Sequence, residues 1–285
     1  MDSNSYLKTT DKLLFIFYGF CTLLLVSVLW TIREDVQGIP VLNYHQINPV
    51  DVNALTVPPE DFAAQMQYLH DNGYETISPE ELNEFLVSGK ELPPRPVLIT
   101  FDDGYEDNYT YAYPILKQYN MKATIFLVSD FMNRFDNYLT WQQVYDMSEN
   151  NIYMGSHTLS HFELPSLSTA ELEQQVVGGK LAVEWHTFKF CEYIAYPCGY
   201  FNDQVLSEVK KTNYKGGFTV FFDYVRAGDD PYTLNRIPIY RTATMPLPRF
   251  WLRLHAAPIV GQLERLQTWI GDMGYTGLAS FIPIP

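Results

Sequence analysis

The sequence predicts an α/β fold in which strands and helices alternate along the chain, preceded by one membrane-spanning helix. Three observations lead to this prediction. Residues 13–32 contain no charged side chain, whereas the rest of the chain alternates short apolar runs with amphipathic segments. The runs at residues 97–99 and 123–128 have the near-continuous hydrophobicity of strands that are covered on both faces. Such alternation is typical of a parallel sheet, either closed as a barrel or open.

The composition is that of one catalytic-sized domain with extensions. Of the 285 residues, 47% are hydrophobic and 15% are aromatic, which is enough for a full core. The formal net charge of -14 argues against nucleic acid as a partner, because phosphate contacts need clustered Lys and Arg. The three cysteines, Cys21, Cys191 and Cys198, are too few for a disulfide scaffold and lack the paired spacing of a zinc knuckle.

The segment at residues 13–32 is long enough to cross the hydrocarbon core of a bilayer. It is longer than the apolar region of a typical signal peptide, and no small-residue cleavage site follows it, which favours an uncleaved anchor. Lys8 and Lys12 precede the segment, so the positive-inside rule places the residues after it outside the cytosol. We therefore expect a single-pass protein of the cell membrane with an extracytoplasmic catalytic domain. A buried core helix is the alternative.

Strands and helices follow the anchor in turn. The predicted strands are residues 39–45, 74–77, 95–101, 122–128, 152–156, 192–197, 216–222 and 235–240. The predicted helices are residues 58–73, 78–89, 108–120, 140–150, 168–185 and 202–213. Ser78 has the features of an N-cap, with Pro79 at the first helical position and Glu81 three residues after the cap. The chain thus divides into an anchor region at 1–37, a catalytic domain at 38–245 and a helical extension at 246–285.

Two adjacent carboxylates, Asp102 and Asp103, stand at the end of the strand predicted at residues 95–101. Parallel β/α folds place ligands and catalytic groups at this end of their strands. Neighbouring side chains of a strand point to opposite faces, so both carboxylates reach one site only if the backbone turns, which Gly104 permits. Two carboxylates held close together repel each other unless a positive charge lies nearby, and a divalent metal supplies that charge. A solvated turn is the alternative.

Two histidines, His157 and His161, follow the strand predicted at residues 152–156. Their i, i+4 spacing predicts that both imidazoles lie on one face of a helical turn, and neutral imidazole suits zinc and its neighbours. One carboxylate with two histidines leaves coordination positions open for water and substrate, which is typical of catalytic metal sites. The alternative is a pair of loop histidines whose nitrogens are satisfied locally.

Together, Thr100–Gly104 (TFDDG) and Ser156–His161 (SHTLSH) resemble the first two motifs of the polysaccharide deacetylases, the NodB-homology or family-four carbohydrate esterases. The resemblance covers roughly residues 38–245. It implies a distorted (β/α) barrel, Asp102 as the general base, and Asp103, His157 and His161 as ligands of a divalent metal, with Zn²⁺ favoured and Co²⁺ or Ni²⁺ as alternatives.

The third motif of that family usually reads Arg-Pro-Pro-Tyr-Gly, and the matching stretch here is AYPCG at residues 195–199. Pro197 and Gly199 match the family pattern, and Tyr196 is expected to contact the substrate with them. Cys198 replaces the Tyr whose backbone N–H contributes to the oxyanion hole, so this role does not depend on the side chain.

The Arg that steadies the base in the family is missing, because Ala195 stands in its place. Arg236, on the strand predicted at residues 235–240, is our candidate to supply that charge from elsewhere. A structural or surface arginine is the alternative.

Tyr44 and His45 resemble the opening of the branch that acts on poly-β-1,6-N-acetylglucosamine. That resemblance implies His45 as the general acid. A core histidine is the alternative reading of His45, and His255 is the alternative candidate for the acid.

The function implied is removal of N-acetyl groups from a hexosamine-containing polysaccharide, either an exopolysaccharide or a cell-wall glycan. Water activated by the metal attacks the amide, with Asp102 accepting the proton. Two alternatives keep the same site: a deacetylase of peptidoglycan or chitin oligomers, and an O-acetyl esterase. A third alternative is a membrane-tethered glycan-binding protein with a degenerate site. A two-histidine, one-carboxylate iron oxygenase fits less well, because its carboxylate lies two residues from the first histidine.

Overall fold

The computed structural model describes residues 38–51, 53–239 and 246–279. The strands are β1 Val41–Tyr44, β2 Gln46–Ile47, β3 Thr56–Val57, β4 Glu75–Thr76, β5 Pro96–Phe101, β6 Ala123–Leu127, β7 Ile152–Ser156, β8 Tyr193–Ala195, β9 Gly216–Phe222 and β10 Leu234–Pro238. The helices are α1 Pro59–Asp71, α2 Pro79–Ser88, α3 Tyr113–Gln118, α4 Trp141–Ser148, α5 Thr169–Thr187, α6 Asp203–Lys211, α7 Leu247–Asp272 and α8 Thr276–Ala279.

In the described part of the chain, seven parallel strands close into a barrel in the order β1-β10-β9-β8-β7-β6-β5. The closure is made by β1, which pairs in parallel with β10 and with β5. Of the two arrangements that the alternation allowed, the closed barrel is the correct one. Because all seven strands run the same way, their C-terminal ends form one rim, and the loops that carry the candidate site residues start there.

The barrel is distorted at β5. The short strand β4 pairs with the first residues of β5, Pro96 and Val97, whereas β6 pairs with the last ones, Thr100 and Phe101. A separate two-stranded sheet, formed by β2 and β3, lies in the segment that follows β1. This short sheet connects the C-terminal rim to the start of α1.

The barrel interior is apolar near the N-terminal ends of the strands and polar near the rim. Val41, Leu98, Phe126 and Leu234 belong to one buried cluster with other apolar side chains. Arg236, two positions after Leu234 on β10, points to the same interior, where its guanidinium donates to the Thr100 hydroxyl of β5. Arg236 is completely buried, so the strands bring a cation into the centre of the barrel just below the rim.

Helix boundaries follow local chemistry. Ser78 Oγ accepts a hydrogen bond from Glu81 N, and Ser78 N donates one to the Glu81 carboxylate, so the predicted capping box is confirmed. Ser168 caps α5 in the same way. The helical extension contains α7, which has a kink at Ala256 (φ -115°), two residues before Pro258.

The helix predicted at residues 13–32 lies outside the described residues. In the part of the chain that the structure does describe, no helix combines the length and apolar character needed to cross a bilayer.

Candidate active site and metal centre

The two carboxylates at the end of β5 are separated by a sharp change in the backbone. Asp102 N donates to Tyr44 O over 2.9 Å, which continues the pairing of β1 with β5 by one residue. Asp103 then adopts φ 74° and Gly104 adopts φ 79°. A Cβ at Gly104 would lie 2.7 Å from Leu127 Cδ2, so the tight turn also needs glycine for space. The turn assigned to Gly104 therefore starts one residue earlier, at Asp103.

Asp102 forms a bidentate ion pair with Arg236 inside the barrel. Arg236 Nη1 donates to Asp102 Oδ1 and Nη2 donates to Oδ2, each over 2.7 Å. The guanidinium is oriented by two further bonds, from Nε to Thr219 O (2.6 Å) and from Nη1 to Thr100 Oγ1 (3.3 Å). The charge that the third motif lacks is therefore present beside Asp102, supplied from β10. We call Asp102 with Arg236 and the Thr219 carbonyl the base pocket.

The ion pair keeps Asp102 ionised although its side chain is buried. Burial alone raises the pKa of a carboxyl group, but the charge of Arg236 and the hydrogen bonds from its guanidinium outweigh it, so the pKa of Asp102 lies well below its usual range. Asp102 is therefore a carboxylate at neutral pH. In that form it can accept a proton.

His157 and His161 do not lie on a helical turn, so the prediction of a helical HxxxH arrangement is wrong. Residues 157–161 form a loop in which Thr158 (φ 69°) and His161 (φ 60°) have left-handed backbone conformations. His161 N donates to Thr158 Oγ1 over 3.1 Å, which closes the loop on itself. Left-handed residues cannot continue a right-handed helix. We call residues 157–161 the histidine loop.

The histidine loop nevertheless brings both rings to Asp103. Asp103 Oδ1 lies 3.5 Å from His157 Nε2 and 3.5 Å from His161 Nε2. One ligand atom from each of the three residues lies within 4.8 Å of the other two. The ring centroids of the two histidines are 4.8 Å apart, in an edge-to-face arrangement.

The hydrogen bonding of His157 leaves its Nε2 available as a ligand. Its Nδ1 lies 2.8 Å from the Ala195 carbonyl, which can only accept, so Nδ1 carries the proton. Burial lowers the pKa of His157, which favours the neutral ring that metals bind. A carboxylate oxygen and two imidazole nitrogens, one of them oriented by a backbone carbonyl, fit a catalytic Zn²⁺ or a similar divalent ion.

The third motif contributes a strained turn at the end of β8. Pro197–Gly199 form a short 3₁₀ turn in which Cys198 has φ 55° and Gly199 has φ 76°. A Cβ at Gly199 would lie 2.4 Å from Val220 Cγ2, which explains the glycine. Cys198 is an exposed residue, but partial burial of its thiol, together with the charges of Glu163 and Asp103, raises the pKa of that group.

The position of Tyr196 contradicts the prediction that its side chain contacts the substrate. Its side chain is completely buried, and its hydroxyl donates to Tyr232 O over 2.8 Å. The ring therefore belongs to the core and does not line a groove. The residue follows β8 directly, and the inward direction of its side chain could not be read from its position at a strand end.

His45 and His255 occupy different parts of the fold. His45 directly follows β1, is almost fully buried, and lies near enough to Asp102 for its charge to lower the pKa of that group. Its carbonyl accepts from Asn108 Nδ2 over 2.8 Å. His255 lies on α7 instead, where its Nε2 is 3.1 Å from the Tyr68 hydroxyl. His45 is thus the histidine placed beside the base pocket.

An aromatic pair that the motifs did not single out flanks Asp103. Tyr105 and Tyr138 stack with ring centroids 4.9 Å apart, and their backbones form an isolated bridge. Burial and the nearby charge of Asp103 raise the pKa of Tyr105. Tyr105 directly follows the turn at Asp103 and Gly104 but belongs to none of the motifs. Tyr138 lies in a long loop and carried no sequence signal.

Comparisons with known proteins add to this geometry. A family model described as polysaccharide deacetylase matches residues 89–217. The Bacillus subtilis protein YxkH, whose name places it among polysaccharide deacetylases, is 36% identical over 210 residues, which cover 74% of this chain and 74% of that protein. A poly-β-1,6-N-acetyl-D-glucosamine N-deacetylase of Staphylococcus epidermidis is 26% identical over 237 residues, covering 74% of this chain and 82% of that protein.

Among solved structures, the Streptococcus pyogenes deacetylase PplD in complex with acetate is similar to this chain, with a TM-score of 0.71 and 30% sequence identity. The match covers 76% of this chain and 98% of that chain.

Proposed function

The chain belongs to the polysaccharide deacetylase family, and on that premise we propose that it is a metal-dependent hydrolase that removes N-acetyl groups from a hexosamine-containing polysaccharide. The observation that carries the proposal is the convergence of Asp103, His157 and His161 beside the ionised Asp102. The name of the Staphylococcus epidermidis relative supports an N-acetylglucosamine polymer as the substrate class.

Asp103, His157 and His161 are the residues that would hold the metal, and their donor atoms favour Zn²⁺, with Co²⁺ and Ni²⁺ as alternatives. When bound, a divalent metal supplies Lewis acidity, which activates water as a nucleophile at neutral pH and polarises the amide carbonyl. The Ala195 carbonyl keeps the His157 ring in the tautomer that this role requires.

Asp102 accepts the proton of the attacking water. Arg236 binds both of its oxygens, which fixes the direction of the carboxylate and keeps it ionised, while each oxygen retains a further lone pair. A well-placed general base contributes on the order of 10²–10⁴ in rate. Arg236 does not reach the substrate itself, because it is buried beneath the carboxylate.

His45 is the proposed general acid. As the water oxygen bonds to the carbonyl carbon and the carbon–nitrogen bond breaks, the leaving amine takes a proton from the imidazole of His45. The oxyanion that forms in between is stabilised by a backbone N–H of the strained turn at Pro197–Gly199. The products are acetate and a free amine on the glycan.

The test is acetate release from defined N-acetylglucosamine oligomers by the full-length chain, with and without a chelator. We expect release that stops when the chelator is added and returns with excess Zn²⁺. Release that persists in the chelator would contradict metal dependence. No release of acetate with zinc, cobalt or nickel would favour a degenerate glycan-binding protein. Release confined to O-acetylated polymers would indicate that the enzyme hydrolyses an ester and not an amide.

The cellular location is a separate proposal. The absence of charge in residues 13–32 supports a membrane anchor that places the catalytic domain outside the cytosol. Extraction of membranes with alkaline carbonate tests it. We expect the chain to remain in the membrane pellet, and its release into the supernatant would contradict the anchor.

A further inference from the structure

The histidine loop rests on α5 through a small surface that we call the helix seat, formed by Gln175 and Gly179. The Gln175 carbonyl accepts from Leu159 N over 3.2 Å, and its side-chain Oε1 accepts from Ser160 N over 2.9 Å. Gln175 is almost fully buried beneath the loop. Both bonded residues lie between His157 and His161, so the seat holds the middle of the loop whose ends supply two metal ligands.

Gly179 is the point of closest approach between α5 and the loop. A Cβ on Gly179 would lie 2.6 Å from Ser156 Oγ and 2.7 Å from the carbonyl carbon of Thr158. Real Cβ atoms do not approach other atoms this closely, and the Thr158 backbone cannot rotate away as a side-chain tip can. Any residue larger than glycine at position 179 must therefore push the histidine loop away from the helix.

Gly178 offers a natural comparison on the same helix. The three atoms nearest to a Cβ on Gly178 would all belong to the Leu159 side chain, with Cδ2 closest at 3.2 Å. That methyl group can move by a few tenths of an ångström. Glycine is unfavourable inside a helix wherever it stands, so the space required by the loop, and not the helix, explains the glycine at position 179.

The loop also needs external support because of its own conformation. Thr158 (φ 69°) and His161 (φ 60°) are non-glycine residues in the left-handed region, a conformation that persists when surrounding contacts hold it. The bonds from Leu159 N and Ser160 N to Gln175 provide such contacts between the two strained positions.

We propose that Gly179 and Gln175 are positioning residues that set the metal affinity of the site, by holding the histidine loop in the conformation that aims His157 and His161 at Asp103. Neither residue touches the metal or the substrate in this arrangement. The inference rests on the proposed metal site, and it adds that the affinity of that site depends on a helix that supplies no ligand.

The experiment compares Gly179→Ala with Gly178→Ala in the full-length chain. Zn²⁺ alone is titrated against each protein in competition with a chromophoric chelator, and far-UV circular dichroism of the metal-free proteins checks the fold. We expect Gly178→Ala to bind Zn²⁺ within about threefold of wild type and Gly179→Ala to bind it about 10–100-fold more weakly, the size typical of lost support behind a ligand. Equal affinities, or equal losses in the two variants, would overturn the proposal.

A second pair of variants applies if Gly179→Ala does not fold. Gln175→Met keeps the volume but removes the acceptor for Ser160 N, whereas Gln175→Glu keeps an acceptor oxygen. We expect about a tenfold loss of Zn²⁺ affinity in Gln175→Met and recovery in Gln175→Glu, and wild-type affinity in Gln175→Met would overturn the proposal. If the wild-type protein itself binds no Zn²⁺, the proposed metal site is wrong. If the wild type binds Zn²⁺ but the variants bind it equally well, only the role of the helix seat is wrong.

Discussion

The base pocket and the histidine loop serve the same candidate site but are positioned by different means. Asp102 continues the hydrogen bonding of β5 and is fixed by Arg236, which is itself fixed by the Thr219 carbonyl. The histidine loop lies outside regular structure and contains two left-handed residues. Its position depends on Thr158 and on contacts with α5.

This difference predicts which parts of the site would respond to a bound metal. The base pocket is assembled from strands and one buried ion pair, so its geometry does not depend on a bound ion. The histidine loop holds its rings beside Asp103 without any bond between the three side chains shorter than 3.5 Å. We therefore expect changes in the loop to affect metal affinity and turnover together, and changes in the base pocket to affect turnover or stability alone.

His157→Ala is the change with the largest expected effect. It removes a proposed ligand, so Zn²⁺ affinity should fall by more than about 100-fold, beyond the range seen when only a ligand's support is lost, and turnover should fall with it. Zn²⁺ titration and acetate release measure the two quantities. The control is His70→Ala, which removes an exposed histidine. Unchanged Zn²⁺ affinity in His157→Ala would remove His157 from the ligand set.

Asp102→Asn should separate the two regions. The amide keeps the shape of the carboxylate but cannot accept the proton, so turnover should fall by on the order of 10²–10⁴. Zn²⁺ affinity should stay within a few-fold of wild type, because Asp102 is not part of the ligand cluster. Acetate release and Zn²⁺ titration on the same preparation check both statements. Parallel losses of affinity and turnover would make Asp102 a ligand instead of a base.

Arg236→Met tests the stability of the base pocket. Removing the guanidinium leaves the buried Asp102 carboxylate without its partner, which should lower the free energy of unfolding at pH 7 by about 3–5 kcal/mol. Chemical denaturation measures it. Arg226→Met is the matched control, because its ion pair with Asp223 is partly exposed and should contribute less than about 1 kcal/mol. Similar losses of unfolding free energy in both variants would show that burial of the Arg236–Asp102 pair does not determine its contribution to stability.

Asp107 offers a contrast with Asp102. It is also a buried carboxylate, but it forms no ion pair with any residue that the structure describes. Burial raises the pKa of Asp107 to about 6, although Ile47 N and Asn48 Nδ2 donate to it. A carboxyl group whose pKa is higher in the folded protein stabilises the fold in its protonated form. This contribution is complete below about pH 4, the ordinary pKa of Asp, and is lost as the pH rises through about 6.

Asp107→Asn should therefore reduce the fall in the free energy of unfolding between pH 4 and pH 7. A rise in the pKa of Asp107 from about 4 to about 6 changes the free energy of unfolding by at most about 3 kcal/mol across this pH range. Urea denaturation at several pH values measures it, with the exposed Asp203→Asn as the control. An identical pH dependence in wild type and Asp107→Asn would contradict the raised pKa.

The sequence was most informative where chemistry and strand position coincide. The alternation of strands and helices predicted the parallel arrangement, and the position of Asp102 and Asp103 after a strand predicted that they lie at the rim. The missing arginine of the third motif suggested a cation from another strand, and Arg236 on β10 pairs with Asp102. The positions of these residues were predictable because residues of parallel strands have fixed directions and share one end.

The sequence was least informative about the loops and about the direction of individual side chains. The spacing of His157 and His161 is compatible with a helix, and left-handed conformations at Thr158 and His161 cannot be read from those residue types. Tyr196 has the same sequence position as a groove residue but points into the core. Gly179 of the helix seat carried a usable signal, because a glycine inside a helical pattern often has a packing reason.

The most direct test of the account is a crystal structure of the protein grown with Zn²⁺ and analysed by anomalous scattering at the zinc edge. The account predicts one ion bonded to an Asp103 oxygen, His157 Nε2 and His161 Nε2, at about 2.0–2.2 Å from each atom, with Asp102 still paired to Arg236. An ion bound elsewhere, or bound by Asp102 in place of Asp103, would contradict it.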